Sequence, residues 1–211
     1  FYNCTGFSKL IINDSLHIIG DFAFYNCSGL KGSLEFPDSL KSIGGYAFYF
    51  CSGLTGDLTL PPSIKEANLG SSAFEGCTGF NGSLTLPDDL SVISSALFYD
   101  CSGFIGNLKI PNSIESIGSL AFGYCTGFDG SLELNNGLIS IGIHAFVNCY
   151  NFDGDLNLPS SLTTIKSSAF YRCKGFSGSL AIPGSVSQIG VGAFYQCSGF
   201  DGNLSFGEGV T

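Results

Sequence analysis

The sequence has no tryptophan, no methionine, only two histidines, and only 8 lysines and arginines against 17 aspartates and glutamates. Each shortage removes a class of function. With a formal net charge of −9 and a pI near 4.4 there are no clustered cations to neutralise a phosphate backbone or an anionic membrane surface, so nucleic acid is excluded as a partner. His17 and His144 fall at different phases of the chain, read as exposed turn residues, and cannot pair with a repeated serine or cysteine as nucleophile and base. No catalytic residue is assigned. Gly, Ser, Asn or Pro interrupts every apolar stretch, and none approaches the roughly 20 residues that cross a bilayer. No membrane span is expected within these residues. What remains is apolar: 44% of the chain is hydrophobic, with 20 phenylalanines and only 12% charged residues, which excludes disorder and supplies a continuous core.

Cysteine is the most regular feature. It occurs nine times, from Cys4 to Cys197, at intervals of 23, 24 and 26 residues and then five of 24. A period in the twenties predicts a stacked solenoid, in which each unit buries its apolar face only against its neighbours. No two cysteines lie within two to four residues of each other, so the paired knuckles of a structural zinc site are absent. Stacked copies would point the same way instead of toward one another, which disfavours disulfides. The thiols read as buried, reduced, small hydrophobes, and the pattern calls for no metal and no cofactor.

Within one unit, Leu-x-Leu-Pro (Leu84-Thr85-Leu86-Pro87, for example) alternates at period two and ends on proline, which predicts a short half-buried strand. A second apolar pair such as Leu90 and Ile93 predicts a further short strand or extended turn. Ala-Phe, as in Ala121-Phe122, predicts a helical turn or 3-10 piece. Gly-Phe-x-Gly then forms the corner, with both glycines expected at positive φ. Residues 1–211 thus read as a single solenoid of about eight to nine units, mostly β with turns and short 3-10 or helical pieces, its parallel strands stacked into a rod or arc. Two extra residues within 64–74 should bulge without breaking the stack, and ends that fall in mid-repeat read as a piece of a longer protein.

Three sets of side chains are candidates for function. The outward strand positions Glu35, Thr59, Thr85, Lys109, Glu133, Asn157, Ala181 and Ser205 vary where their apolar neighbours do not, as a free binding face permits. Tyr25, Tyr49, Tyr99, Tyr171 and Tyr195 directly follow Ala-Phe or Leu-Phe, with Glu75, Gly123 and Val147 at the same place in other units. Such a row suits a glycan or protein partner, or is a half-covered ladder of stacked rings, the simpler reading. Asp129, Asp153 and Asp201 share one position with Asn81 and Ser177; without the Asp-spaced nonapeptide of a calcium-binding repeat they read as a solvated corner. Corners such as Gly103-Phe104-Ile105-Gly106 recur without a following lysine, so they are geometry and not a phosphate loop.

The phrase Leu-Pro-x-Ser-Leu-x-x-Ile-Gly-x-x-Ala-Phe-x-x-Cys-Ser-Gly-Phe, nearly whole over 36–54 and 110–128, resembles the Treponema pallidum-type leucine-rich repeat of BspA-like proteins, across essentially the whole chain. Most units are one residue longer than the common 23, and Asn135 stands where other units have the strand-ending proline. The resemblance implies a non-enzymatic surface or secreted region that binds a protein or glycan partner in adhesion. The alternative is an intracellular scaffold packed into a cytoskeletal or flagellar assembly, a setting that suits reduced thiols.

Overall fold

The computed structural model describes residues 1–64 and 68–209, which form a parallel β-solenoid without α-helices. All the strands pair in parallel, each with its equivalent in the next unit except Gly154–Asp155, which pairs two residues out of phase with Phe176–Ser177. The longest sheet comes from the second apolar segment: Val92–Ile93, Ser116–Ile117, Ser140–Ile141, Thr164–Ile165 and Gln188–Ile189 form five continuous strands. Ile18–Ile19, Ser42–Ile43 and a bridge from Ile43 to Leu69 occupy the same face nearer the N-terminus. The Leu-x-Leu segments are less continuous. Leu58–Thr59 pairs with Leu84–Thr85, Leu108–Lys109 with Leu132–Glu133, and Leu180–Ile182 with Leu204–Phe206, each as a separate two-stranded sheet. Proline, which has no N–H, ends most of these strands and stops the ladder.

The corners explain why this face pairs units in twos. Gly56, Gly106 and Gly178 have φ between +65° and +84°, whereas Gly82, Gly130 and Gly202 in the partner units do not; a Cβ there would strike a side chain of the preceding unit. The expectation of positive φ at both corner glycines is therefore corrected. The first glycine is required by close approach instead, since a Cβ on Gly103 would lie 2.1 Å from the Phe80 carbonyl oxygen.

The interior is built of columns. Phe24, Phe48, Phe74, Phe98, Phe122, Phe146, Phe170 and Phe194 stack with centroids 5.1 to 5.7 Å apart and planes within 17°. A second column runs from Phe80 to Phe200 through the corners, and Phe98–Phe104, Phe146–Phe152 and Phe170–Phe176 join the two edge to face. Phe48 and Phe74 stack at 5.4 Å although 26 residues separate them, and Leu69 regains the ladder beside Ile43. Of the segment expected to bulge, Lys65 to Gly70, the residues Lys65 to Ala67 lie outside the described residues.

The Ala-Phe segment is not a helical piece. It is a chain of turns: Ala23, Tyr25 and Cys27 donate their N–H groups to the carbonyls three residues earlier, while Phe22, Phe24 and Asn26 donate to Gly45, Ala47 and Tyr49 of the next unit. Half the donors close the turn and half hold the stack. This geometry puts two residues per unit in the left-handed region, five positions and one position before the cysteine, from Phe22 and Asn26 to Ser168 and Arg172. No β-branched residue occupies either place in any described unit, as their χ1 crowding requires. Each thiol adds a further tie: Cys51, Cys77, Cys101 and Cys125 donate Sγ–H to Phe24, Phe48, Phe74 and Phe98 carbonyls of the preceding unit at 3.0 Å. All nine cysteines are free, and seven are buried.

Asn135 shows how the repeat tolerates a departure. In other units a serine hydroxyl (Ser39, Ser63, Ser113, Ser161, Ser185) donates to the Leu16, Leu40, Leu90, Leu138 or Leu162 carbonyl of the preceding unit. Position 137 is glycine, and the buried Asn135 amide takes over, donating to the Ile114 carbonyl at 2.9 Å and the Pro111 carbonyl at 2.7 Å, while its Oδ1 accepts from Gly137 N–H.

Three predictions follow from this packing. Ala96, at φ +52°, should gain about 1 kcal/mol when changed to glycine and lose at least that when changed to valine, read as opposite shifts in thermal midpoint. Asn135→Pro alone should cost roughly 1–2 kcal/mol by stranding the Ile114 carbonyl, and Asn135→Pro with Gly137→Ser should recover most of it; additive losses in a denaturant series would refute the relay. Burial pushes the thiols up from 9.0, Cys51 to about 12 and the fully buried Cys77, Cys101 and Cys125 well above 9.0. Below pH 9 both states keep the proton. Above it the unfolded chain loses protons that the fold retains, removing about 1.4 kcal/mol per pH unit for each buried thiol. Stability should be flat near neutrality and fall steeply between pH 9 and about 12. Cys101→Ala should make that alkaline transition shallower, as followed by circular dichroism.

Candidate binding surface

The strand register decides which side chains face outward. In the Leu-x-Leu segments from Leu34 to Ile182 the flanking residues turn inward, whereas Leu204 and Phe206 of the last segment are exposed; Glu35, Thr59, Thr85, Lys109, Glu133, Asn157, Ala181 and Ser205 are all exposed. Thr59 lies beside Thr85, Lys109 beside Glu133 and Ala181 beside Ser205, so the row is a real spatial line in the paired units. Its relief is shallow. An open depression of about 550 Å³ lies between Glu35, Asp38, Asp57, Thr59 and Pro61, and another of about 290 Å³ between Thr85, Asp88, Lys109 and Pro111. The first is acidic and the second carries both signs, which favours partners read by charge pattern over a deep pocket ligand.

The corner carboxylates are structural. Asp129 and Asp201 accept from Gly106 and Gly178 N–H of the preceding unit at 2.8 Å, as Asn81 does from Gly56, while Asp153 caps its own Gly154. Asp57 accepts from both the N–H and the hydroxyl of Ser83, which hold its carboxyl below the usual range, the backbone bond most. Among the described residues no three His, Cys, Asp or Glu side chains come together as metal ligands.

The tyrosines stack where they are consecutive. Tyr2, Tyr25 and Tyr49 pile at 4.5 and 4.6 Å, and Tyr171 lies on Tyr195 at 5.1 Å, half-covered as the ladder reading expects. The left-handed positions add rings that no repeat pattern had marked out. Phe22 stacks on Tyr46 at 5.1 Å and Phe50 lies 4.6 Å from Tyr49, both beside the tyrosine ladder. Tyr99 has no tyrosine in line with it; it meets Tyr124 edge to face at 5.4 Å, and burial raises its hydroxyl above 10.0. His17 is exposed as expected. His144 is half-buried, at φ +55°, and belongs to this turn face, well apart from His17 in the stack.

The model of the BspA type leucine rich repeat region matches in six copies over residues 1–129, 56–177 and 128–211. Among solved structures, the chain is similar to a leucine-rich cell surface protein of Faecalibacterium prausnitzii at 27% identity and TM-score 0.57, covering 90% of this chain and 43% of that one. It is similar to the pneumococcal vaccine antigen PcpA at 25% identity and TM-score 0.61, covering 97% and 55%. The leucine-rich repeat protein of T. pallidum, at 23% identity and TM-score 0.57 over 86% of this chain and 76% of that one, shares the fold. The chain thus spans about half the length of the first two. No curated protein matches it.

Proposed function

Because the chain belongs to the BspA-type leucine-rich repeat family, we propose that it is a non-enzymatic recognition region, displayed on a cell surface or secreted, that binds a protein or glycan partner along the row from Glu35 to Ser205. The observation that carries this reading is the contrast within single strands: Leu108 and Ile110 keep the core while Lys109 between them is free to vary, and the same holds at Glu35, Thr59 and Glu133. Similarity to a protein described as a cell surface protein supports the location. The reduced thiols lend no weight to an intracellular scaffold, since seven of the nine are buried against any redox environment.

The test is a screen of the folded protein against matrix proteins and glycans, repeated with Glu35→Lys, Lys109→Glu and Glu133→Lys combined. Charge reversal on an exposed row should lower affinity for the protein partner by tenfold or more and leave the thermal midpoint unchanged. A partner that binds the triple variant as tightly as the parent would refute the row as the binding face, and staining of intact cells with antibody to the chain checks the location.

A further inference from the structure

The tyrosine ladder is broken at Glu75 and again at two adjacent units, and the second break is a cleft. Two residues before Cys125 and Cys149 stand Gly123 and Val147, both buried, where the flanking units carry Tyr99 and Tyr171. The absence of rings at two successive units lowers the floor between those that remain. Tyr99 and Tyr124 form one wall, and Tyr171 with Arg172, whose Cζ lies 5.3 Å from the Tyr171 centroid, forms the other. Leu120, His144 and Ser168 line one lip and Asn148 the other, around about 390 Å³. Gly123 is needed for this shape: a Cβ there would lie 2.9 Å from Val147 Cγ1 and 3.2 Å from Tyr99 Cδ2.

The polar groups favour one kind of occupant. Arg172 is the only arginine in a chain of net charge −9, and no acidic residue lines the cleft. Its Nε donates to Gln196 Oε1 at 2.7 Å, and its terminal amino groups have no partner among the described residues. A planar fork beside aromatic faces suits a carboxylate carried on a ring with an apolar face. Asn148, Ser168 and His144 supply hydroxyl-matching donors and acceptors around it. A single cation is too little for a polyphosphate, and a floor of buried Val147 beside Leu120 on the lip suits the CH face of a sugar better than a solvated ion.

We propose that this cleft, on a different face from the Glu35 to Ser205 row, binds an acidic saccharide, with a sugar ring between the tyrosine walls and its carboxylate on Arg172. The site does not depend on the row, and its test separates the two. The folded chain is titrated with oligogalacturonate and with sialyllactose, against neutral galactan fragments and lactose as controls and an acidic peptide as the competing class, following tyrosine fluorescence and titration heat. Binding of an acidic sugar at least tenfold tighter than its neutral counterpart is expected. Arg172→Gln should remove that preference, Val147→Tyr should block both, and the row variant should change neither. Asn148→Gly, on the half-buried lip at φ +59°, a backbone that glycine adopts without strain, gives a second reading should Val147→Tyr disturb the stack, with an expected severalfold loss. Equal binding of acidic and neutral sugars, an unchanged preference in Arg172→Gln, or selective binding of the peptide would each overturn the proposal.

Discussion

The structure rests on the requirement that a side chain in one unit find its own copy directly above it. Phenylalanine meets this requirement in a particular way. The backbone ladder advances about 4.8 Å per unit, while the ring centroids of the Ala-Phe column are 5.1 to 5.7 Å apart. The longer ring spacing keeps the rings from lying face to face at the ladder distance, and near-parallel rings at such centroid distances fall in the range of the stacked arrangements that the aromatic quadrupole prefers. Ladder and column therefore support each other. The alternating use of N–H groups in the turns, one bond inside the unit and the next to the neighbouring unit, extends the same coupling to a segment with no regular strand.

This coupling explains what could be read from the chain without coordinates. Apolar identity at a fixed period is enough to place Phe98, Phe122 and Phe146 in one column, and the structure stacks them at 5.5 and 5.4 Å. The outward row was legible for the same reason, since period-two alternation fixes the face of Lys109 once Leu108 and Ile110 are inside. Backbone detail was not. Ala-Phe in a context of small residues fits a helical turn, and only the absence of Val, Ile and Thr at the positions of Phe22 and Asn26 hints at left-handed residues. That hint is spread over eight units and invisible in any one. The corners misled in a similar manner, because glycine serves positive φ at Gly106 and close approach at Gly103, and a sequence does not distinguish the two.

Departures from the repeat are informative because the stack makes them costly. Asn135 and Gly137 look like two separate lapses, yet one supplies the hydrogen bond that the other has lost. The insertion near Lys65 changes the interval from 24 to 26 residues without moving Phe74 from the column. Each of these changes is compensated within one or two units, as expected where a unit touches only its neighbours.

The same reasoning separates function from architecture in such a chain. A column that must stack cannot specialise, so recognition is confined to positions whose copies do not need to match: the middle residue of each Leu-x-Leu and the outer residues of the turns. Along the first, variation changes charge on a shallow surface, as between Lys109 and Glu133. Along the second, replacing a large ring by Gly123 or Val147 changes shape, because its neighbours above and below stay in place. A solenoid therefore gains a flat face by substituting charges and a cleft by deleting rings, and neither change disturbs the phenylalanines beneath.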